Sequence, residues 1–253
     1  MIECKSEEVI NLMAEGGTIL AHIMHEVSTN ARDGVSLEQL DRLANQLIFK
    51  AGAKPAFLGY RPEGALKPYP ATICASINDV IVHGIPTKYK LRPGDLLKLD
   101  FGLFYKGWCV DTATTVGIPP ITNEVAKLIK VTREALKKGI KAMQPGNHLG
   151  DIGYAIERHV KKYGFNVARG LTGHGIGRQL HENPAVLNVG RRGKGELLEP
   201  GVVLALEPMV TVGTDQIKQL KDDSYVTADG KLSAHFEHTV AVTKDGPKVL
   251  TQL

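Results

Sequence analysis

The 253-residue sequence has only three cysteines, Cys4, Cys74 and Cys109, and no CxxC pair, which leaves no basis for a disulfide framework or a structural zinc finger. No run of Lys or Arg exceeds two residues and the formal net charge is only +4, so charge gives no reason to propose specific nucleic-acid binding. The opening residues MIECKSEEVI lack the basic and apolar regions of a secretion signal, and no apolar run approaches the ~20 residues that span a bilayer. The reducing cytosol is the expected compartment, without membrane attachment. Hydrophobic residues at 43% and charged residues at 23% are ordinary for a globular chain.

What is present is organised around Leu91–Asp111, LRPGDLLKLDFGLFYKGWCVD. A Pro93-Gly94 turn feeds an apolar strand that ends in the carboxylate of Asp100. Folding the stretch about Tyr105-Lys106 makes a hairpin with Asp111 directly opposite Asp100. Directly opposed residues have Cβ atoms roughly 4.5–5.5 Å apart. Two acids in that relation need a cation or a shared proton.

The chain repeats itself. Leu91–Asp100 aligns without a gap on Leu198–Glu207, LEPGVVLALE, and in both copies a Pro-Gly turn opens an apolar strand that ends in an acid. Upstream, Gly34-Val-Ser-Leu37 to Ala51-Gly52 aligns on Gly146-Asn-His-Leu149 to Tyr163-Gly164. The offsets are 107 and 112 residues, and the Pro- and Gly-rich run Arg61–Pro70 is the place for the difference. This is a duplication, with each half contributing acids to a shared site. It predicts one catalytic domain over 1–253, with pseudo-symmetric halves of about 1–118 and 119–253.

Helical spacing predicts four helices. The first is capped by Ser6, and the second opens at the Ser36/Gln39 capping box and stops at Gly52. The third runs from Thr122 to about Met143 and the fourth from Leu149 to Tyr163, with His148 and His159 expected on the surface. Strands are expected at 71–77, at 80–83, through Val116, at 210–212 as an extension of the strand before Glu207, and unbroken over Ser233–Val242.

Five residues stand out as metal ligands: Asp100, Asp111, His174, Glu207 and Glu237. The two glutamates interrupt otherwise apolar strands, where a carboxylate is costly unless paired or coordinated. Four carboxylates with one imidazole suit two divalent transition ions roughly 3.5–4 Å apart better than one tetrahedral zinc. Period-2 alternation puts His235 on the strand face of Glu237. The cluster Gly170-Leu-Thr-Gly-His174-Gly-Ile-Gly177 is not read as a phosphate cradle, because Pro184 follows closely and no helix starts at its last glycine.

Together, Gly173-His-Gly-Ile-Gly with His181-Glu-Asn-Pro, Ser76-Ile-Asn with His83-Gly, Asp100 with Asp111-Thr, Leu206-Glu-Pro-Met and Ser233-Ala…Glu237-His-Thr resemble the type I methionine aminopeptidases, in order through essentially the whole chain. The resemblance implies an α+β "pita-bread" fold, a curved antiparallel β-sheet with two helix pairs on its outer face and internal pseudo-two-fold duplication. It also implies a hydrolase removing the initiator methionine from nascent proteins, with a small second residue preferred, by water activated between two metals. Asp111 and Glu237 would bridge two divalent ions (Mn, Fe, Co or Zn), Asp100 would hold one, and His174 with Glu207 the other. Glu207 would also take the water's proton, and His83 and His181 would hydrogen-bond the scissile amide and its oxyanion. The methionine pocket would be built by Phe57, Tyr60, Tyr69, Cys74 and Leu180; apart from the resemblance, the strand face that His235 shares with Glu237 would set it behind the ligands. Partners implied are N-terminal methionyl peptides emerging at the ribosome, acted on by a monomer.

This chain departs from the family pattern at Leu180, commonly Phe, and at His235, generally Gln. Its only tryptophan, Trp108, lies away from the loop where the family carries one. Proline-specific peptidases of the same fold share the ligands, and non-catalytic relatives lose them. The Ser-Ala-x-x-Glu-His-Thr strand favours the methionine type.

Overall fold

The computed structural model describes residues 3–61 and 67–253, so Pro62–Leu66 of the expected insertion lie outside the described residues. The elements in order are α1 (Glu7–Asn30), α2 (Leu37–Lys50), β1 (Lys54–Pro55), β2 (Cys74–Ile77), β3 (Val80–Val82), β4 (Leu96–Tyr105), β5 (Trp108–Gly117), α3 (Asn123–Ala142) and α4 (Leu149–Lys162). There follow β6 (Asn166–Val167), β7 (Thr172–Gly175), β8 (Glu182–Leu187), β9 (Val203–Leu206), β10 (Met209–Thr211), β11 (Ile217–Gln219), β12 (Tyr225–Thr227), β13 (Ser233–His235), β14 (Glu237–Thr243) and β15 (Gly246–Val249).

The helices start where side-chain acceptors meet free backbone donors. Ser6 Oγ accepts from Val9 N and Thr122 Oγ1 from Val125 N, while Ser36 and Gln39 close a reciprocal box at the head of α2. Each cap contributes about 1 kcal/mol. Leu20, Val27, Leu40 and Ile48 of the first helix pair pack with Leu97, Leu99, Phe101 and Leu103 of β4 in one core cluster. Val131, Ile152, Ile156 and Val160 of the second pair pack with Leu204, Leu206, Val240 and Val242 in another. Each fully buried side chain of this kind contributes about 1.5–3 kcal/mol. Because the odd positions of β4 face α1 and α2, Lys98, Asp100 and Gly102 are left on the opposite, concave side.

All strand pairs are antiparallel. The main sheet has the order β1-β4-β5-β14-β9-β7-β8, with β2 beside β4 and β15 beside β14. Small sheets β13-β10-β6 and β11-β12-β3 flank it.

The duplication is visible in single hydrogen bonds. Gly34 N donates to Leu91 O at 2.9 Å and Gly146 N to Leu198 O at 2.9 Å. Leu91 N donates to Val35 O at 2.9 Å and Leu198 N to Asn147 O at 2.8 Å. The bridge Ser36 to Lys90 recurs as His148 to Leu197. These pairs correspond residue for residue at the sequence offsets of 112 and 107.

Four sequence expectations need correction. The β4–β5 hairpin turns at Lys106-Gly107, with φ of 49° and 83°, not at Tyr105-Lys106. A two-residue turn with both central residues at positive φ matches the strand twist, and glycine takes that conformation without strain. Asp111 therefore faces Gly102 and Asp100 faces Ala113, so the two acids are diagonal on one face, not opposed. Second, β10 does not extend β9: the chain leaves the main sheet at Glu207-Pro208 and pairs with β6 and β13. Third, the last strand breaks at Phe236, its first part pairing with β10 and its second with β5, β9 and β15. Fourth, His148 and His159 are half-buried, and the His159 ring lies 3.3 Å from Glu134 and packs at a tilt against Tyr163.

Candidate metal centre

The sheet order β4-β5-β14-β9-β7 delivers one candidate ligand per strand. Asp100 lies within β4, Asp111 within β5, Glu237 at the first position of β14, Glu207 just past the end of β9, and His174 within β7. Register aligns them across the concave face: Glu237 opposes Ala113, and His174 opposes Ala205. Asp111, His174 and Glu237 each offer a ligand atom within 4.8 Å of the others. His174 Nε2 is 3.7 Å from Glu207 Oε1.

These acids are poorly satisfied by protein alone. Asp100 Oδ1 and Glu237 Oε1 are buried without a hydrogen-bond partner. Burial, and then the neighbouring carboxylates, push Asp100, Glu207 and Glu237 well above the usual carboxylate range. Burial pushes Asp111 up to about 7, held back by the 2.9 Å bond that Thr112 N donates to its Oδ1. Leaving a buried acceptor unpaired costs about 1–3 kcal/mol, more for a charged one. A cationic occupant removes that cost, and four carboxylates with one imidazole fit divalent transition ions.

The imidazole is prepared for the same task. His174 Nδ1 donates to Gly175 O at 2.8 Å, which fixes the tautomer and leaves the Nε2 lone pair free. Burial holds His174 at about 4, so the ring is neutral near pH 7, as a ligand must be.

His181 lies on the loop that returns from β7 to β8, its ring 4.4 Å from that of His174 and edge-on to it. Tyr60 Oη is 2.7 Å from His181 Nδ1. Burial, with His174 and His83 adding to it, lowers His181 to about 3. His83 follows β3 in the left-handed region at φ 63°, a costly conformation for histidine, held by the surrounding structure. The residue is exposed at the surface, while the protein packed around its ring lowers its pKa, with Asp223 opposing. Tyr225 packs against it at 5.7 Å between centroids.

His235 is wholly buried, with Nε2 3.3 Å from Glu207 Oε2. Its backbone is gripped by Thr115, whose hydroxyl donates to His235 O at 2.6 Å and accepts from His235 N at 2.9 Å. Burial, then the nearby His83 and Lys98, lowers the ring to about 3.

The expected pocket residues Phe57, Tyr60, Tyr69, Cys74 and Leu180 all fall in the first core cluster or pack against it. Phe57 and Tyr69 meet edge to face at 6.4 Å. Tyr69 Oη donates to Ile73 O and Gly84 O, both at 3.0 Å, which ties this wall to the residue after His83. Cys74 is the register partner of Asp100, so the wall adjoins the acids. A recess of about 510 Å³ has Arg178, Gln179, His181 and Glu182 in its lining.

Two residues near the site escaped the sequence reading. Tyr225 sits in the stretch 213–230, where its Tyr-Val-Thr run was a faint strand signal inside polar surroundings. Lys98 is a lysine in an apolar strand on the face of Asp100, and that spacing was the available signal.

An acid-lined hollow in a pseudo-symmetric antiparallel sheet, backed by two helix pairs, defines a metallohydrolase class. Residues 11–244 match metallopeptidase family M24. The chain is 43% identical over 252 residues to a methionine aminopeptidase of Clostridium perfringens, with 99% of each chain covered. The structure superposes on that of a methionine aminopeptidase from Thermotoga maritima with a TM-score of 0.95 at 38% identity, covering 100% of both chains. It is also similar to an Xaa-Pro dipeptidase from Bacillus anthracis, with a TM-score of 0.78 at 21% identity, covering 99% of this chain and 62% of that one, a likeness of fold alone. This chain belongs to metallopeptidase family M24 and, within it, to the methionine aminopeptidases.

Proposed function

We propose that the chain, as one catalytic unit of two halves (about 1–118 and 119–253), releases N-terminal methionine from peptides and nascent proteins with a small second residue. The observation that carries the reading is the delivery of five ligand-type side chains by five neighbouring strands, with buried carboxylate oxygens unpartnered. Asp111 and Glu237 would be shared by two divalent ions, Asp100 would help hold one of them, and His174 with Glu207 would help hold the other. Such ions, when bound, supply Lewis acidity that acidifies water and polarises the scissile carbonyl. Glu207 holds the water's proton, with neutral His235 beside it. His83 and His181 donate to the amide and its developing oxyanion, and Tyr60 orients His181. Phe57, Tyr60, Tyr69, Cys74 and Leu180 enclose the methionine side chain. Among the described residues no helix is long and apolar enough to cross a membrane. We place the enzyme in the cytosol as a monomer that meets chains at the ribosome.

The test is methionine release from Met-Ala-Ser and Met-Lys-Ser after adding Mn, Fe, Co or Zn to metal-free protein. Cleavage of the first far in excess of the second is expected. Cleavage of Xaa-Pro dipeptides with both tripeptides left intact would overturn the assignment in favour of the proline-specific type.

A further inference from the structure

Lys98 takes no part in the reaction described above, yet it is 1% exposed and among the largest wholly buried side chains. It leaves β4 on the face of Asp100, across from Ser76 of β2 and Thr115 of β5. Its Nζ donates to Asn78 O at 2.6 Å. The same carbonyl lies 3.1 Å from Ser233 N and 3.2 Å from Ser233 Oγ, both donating to it. Asn78, at φ 54°, lies in the turn between β2 and β3, the segment that leads into His83. Ser233 begins β13, which carries His235 and runs on to Glu237. Thr115, beside Lys98, is the residue that grips His235 from both sides. One amino group thus sits where both sides of the cleft converge on one carbonyl.

Burying it is expensive. Desolvation lowers Lys98 to about 7, opposed by Asp79. An apolar side chain of similar length would carry no such penalty. What the amino group adds is a directional bond to the turn that precedes His83.

We propose that Lys98 is a positioning residue whose amino group, bonded to Asn78 O, locks the β2–β3 turn to β13 and so sets His83 against His235 and Glu237. The kinetic part rests on the peptidase reading, but the structural part does not.

The experiment uses full-length, metal-loaded Lys98→Met and Lys98→Ala. Expected is a loss of kcat of tenfold or more, with KM within twofold and metal content unchanged. Methylammonium chloride should restore kcat of Lys98→Ala in a saturable way by refilling the vacated space. It should do nothing for Lys98→Met, where the space is filled. Tetramethylammonium, which has no N–H, should rescue neither. In metal-free protein, amide exchange at Asn78–Gly84 and Ser233–His235 should speed up tenfold or more in Lys98→Ala and slow again with methylammonium. That readout stands even if the wild type proves to lack methionine aminopeptidase activity. Wild-type kcat in folded Lys98→Met, or unchanged exchange in both segments, would overturn the proposal. Should Lys98→Ala not fold, Lys98→Met carries both measurements.

Discussion

Replacing Asp111 by Asn should destroy activity and stabilise the metal-free protein. The amide keeps an acceptor for the 2.9 Å bond from Thr112 N and nearly the same volume, so packing is preserved. What disappears is a buried charge. The folded protein holds Asp111 at about 7 instead of 3.8, mainly by burial, which favours its neutral form. An acid with a raised folded pKa costs nothing below its unfolded pKa. The cost grows as pH rises and is complete above the folded value. At 1.36 kcal/mol per pH unit, this range corresponds to roughly 4 kcal/mol. Because four acids share protons, about 2–4 kcal/mol is the expected gain. Denaturant unfolding of metal-free wild type and Asp111→Asn at pH 4, 5.5, 7 and 8 measures it. Taking the difference between the two proteins removes the common contributions of the low-pKa histidines and of Lys98. The advantage of the variant should be near zero at pH 4, rise to about pH 7 and then level off. An advantage no larger at pH 8 than at pH 4 would refute the claim that burial of this carboxylate strains the metal-free fold.

Glu237→Gln should likewise abolish turnover and lower metal stoichiometry; near-normal activity with two ions bound would contradict the bridging role. His83→Ala should lower kcat a hundredfold or so with metal content intact, and loss of metal instead would make His83 a ligand. Leu180→Phe should sharpen preference for methionine over bulkier first residues by about 1–3 kcal/mol at most, read from ratios of kcat/KM; unchanged ratios would show that other residues build that wall. His235→Gln should leave the pH–rate profile between pH 6 and 8 unchanged, because burial pushes the wild-type ring to about 3 and keeps it neutral throughout. A shifted acid limb would show that the ring titrates in place.

The five candidate ligands stood out in the sequence because acids at Asp100, Glu207 and Glu237 stand where apolar strands should continue, and only coordination or pairing makes that tolerable. The pairing of Asp100 with Asp111 was misread, yet both acids were assigned to the correct face. Moving the turn from Tyr105-Lys106 to Lys106-Gly107 shifts the register by two, and side chains alternate with period two, so the face is unchanged. The cue to the true turn was Gly107. The break at Phe236 was not legible, because Ser233–Val242 contains no Gly or Pro to mark it while its partners change from β10 to β5 and β9. Tyr225 and Lys98 act through contacts between segments far apart in sequence, which no local pattern encodes.

The duplication also accounts for the asymmetry of the site. By the offset of 107, Asp100 corresponds to Glu207 and Lys98 to Ala205. On the neighbouring strands, Ser76 pairs with Lys98 and His174 pairs with Ala205. Ser76 is therefore the pseudo-symmetric counterpart of His174. One half offers an imidazole to the centre, while the other has a hydroxyl that accepts from Gly84 N, beside His83. Both halves thus give paired carboxylates, while the imidazole comes from one side only. A pair of ions held there would be inequivalent, with an imidazole donor beside Glu207 and an oxygen-only set beside Asp100. Lys98 stands on the side without the imidazole, where its amino group bonds to Asn78 O in the turn that precedes His83. Four acids come from the repeated architecture, and the distinction between the two sides rests on His174 against Ser76 and Lys98 against Ala205.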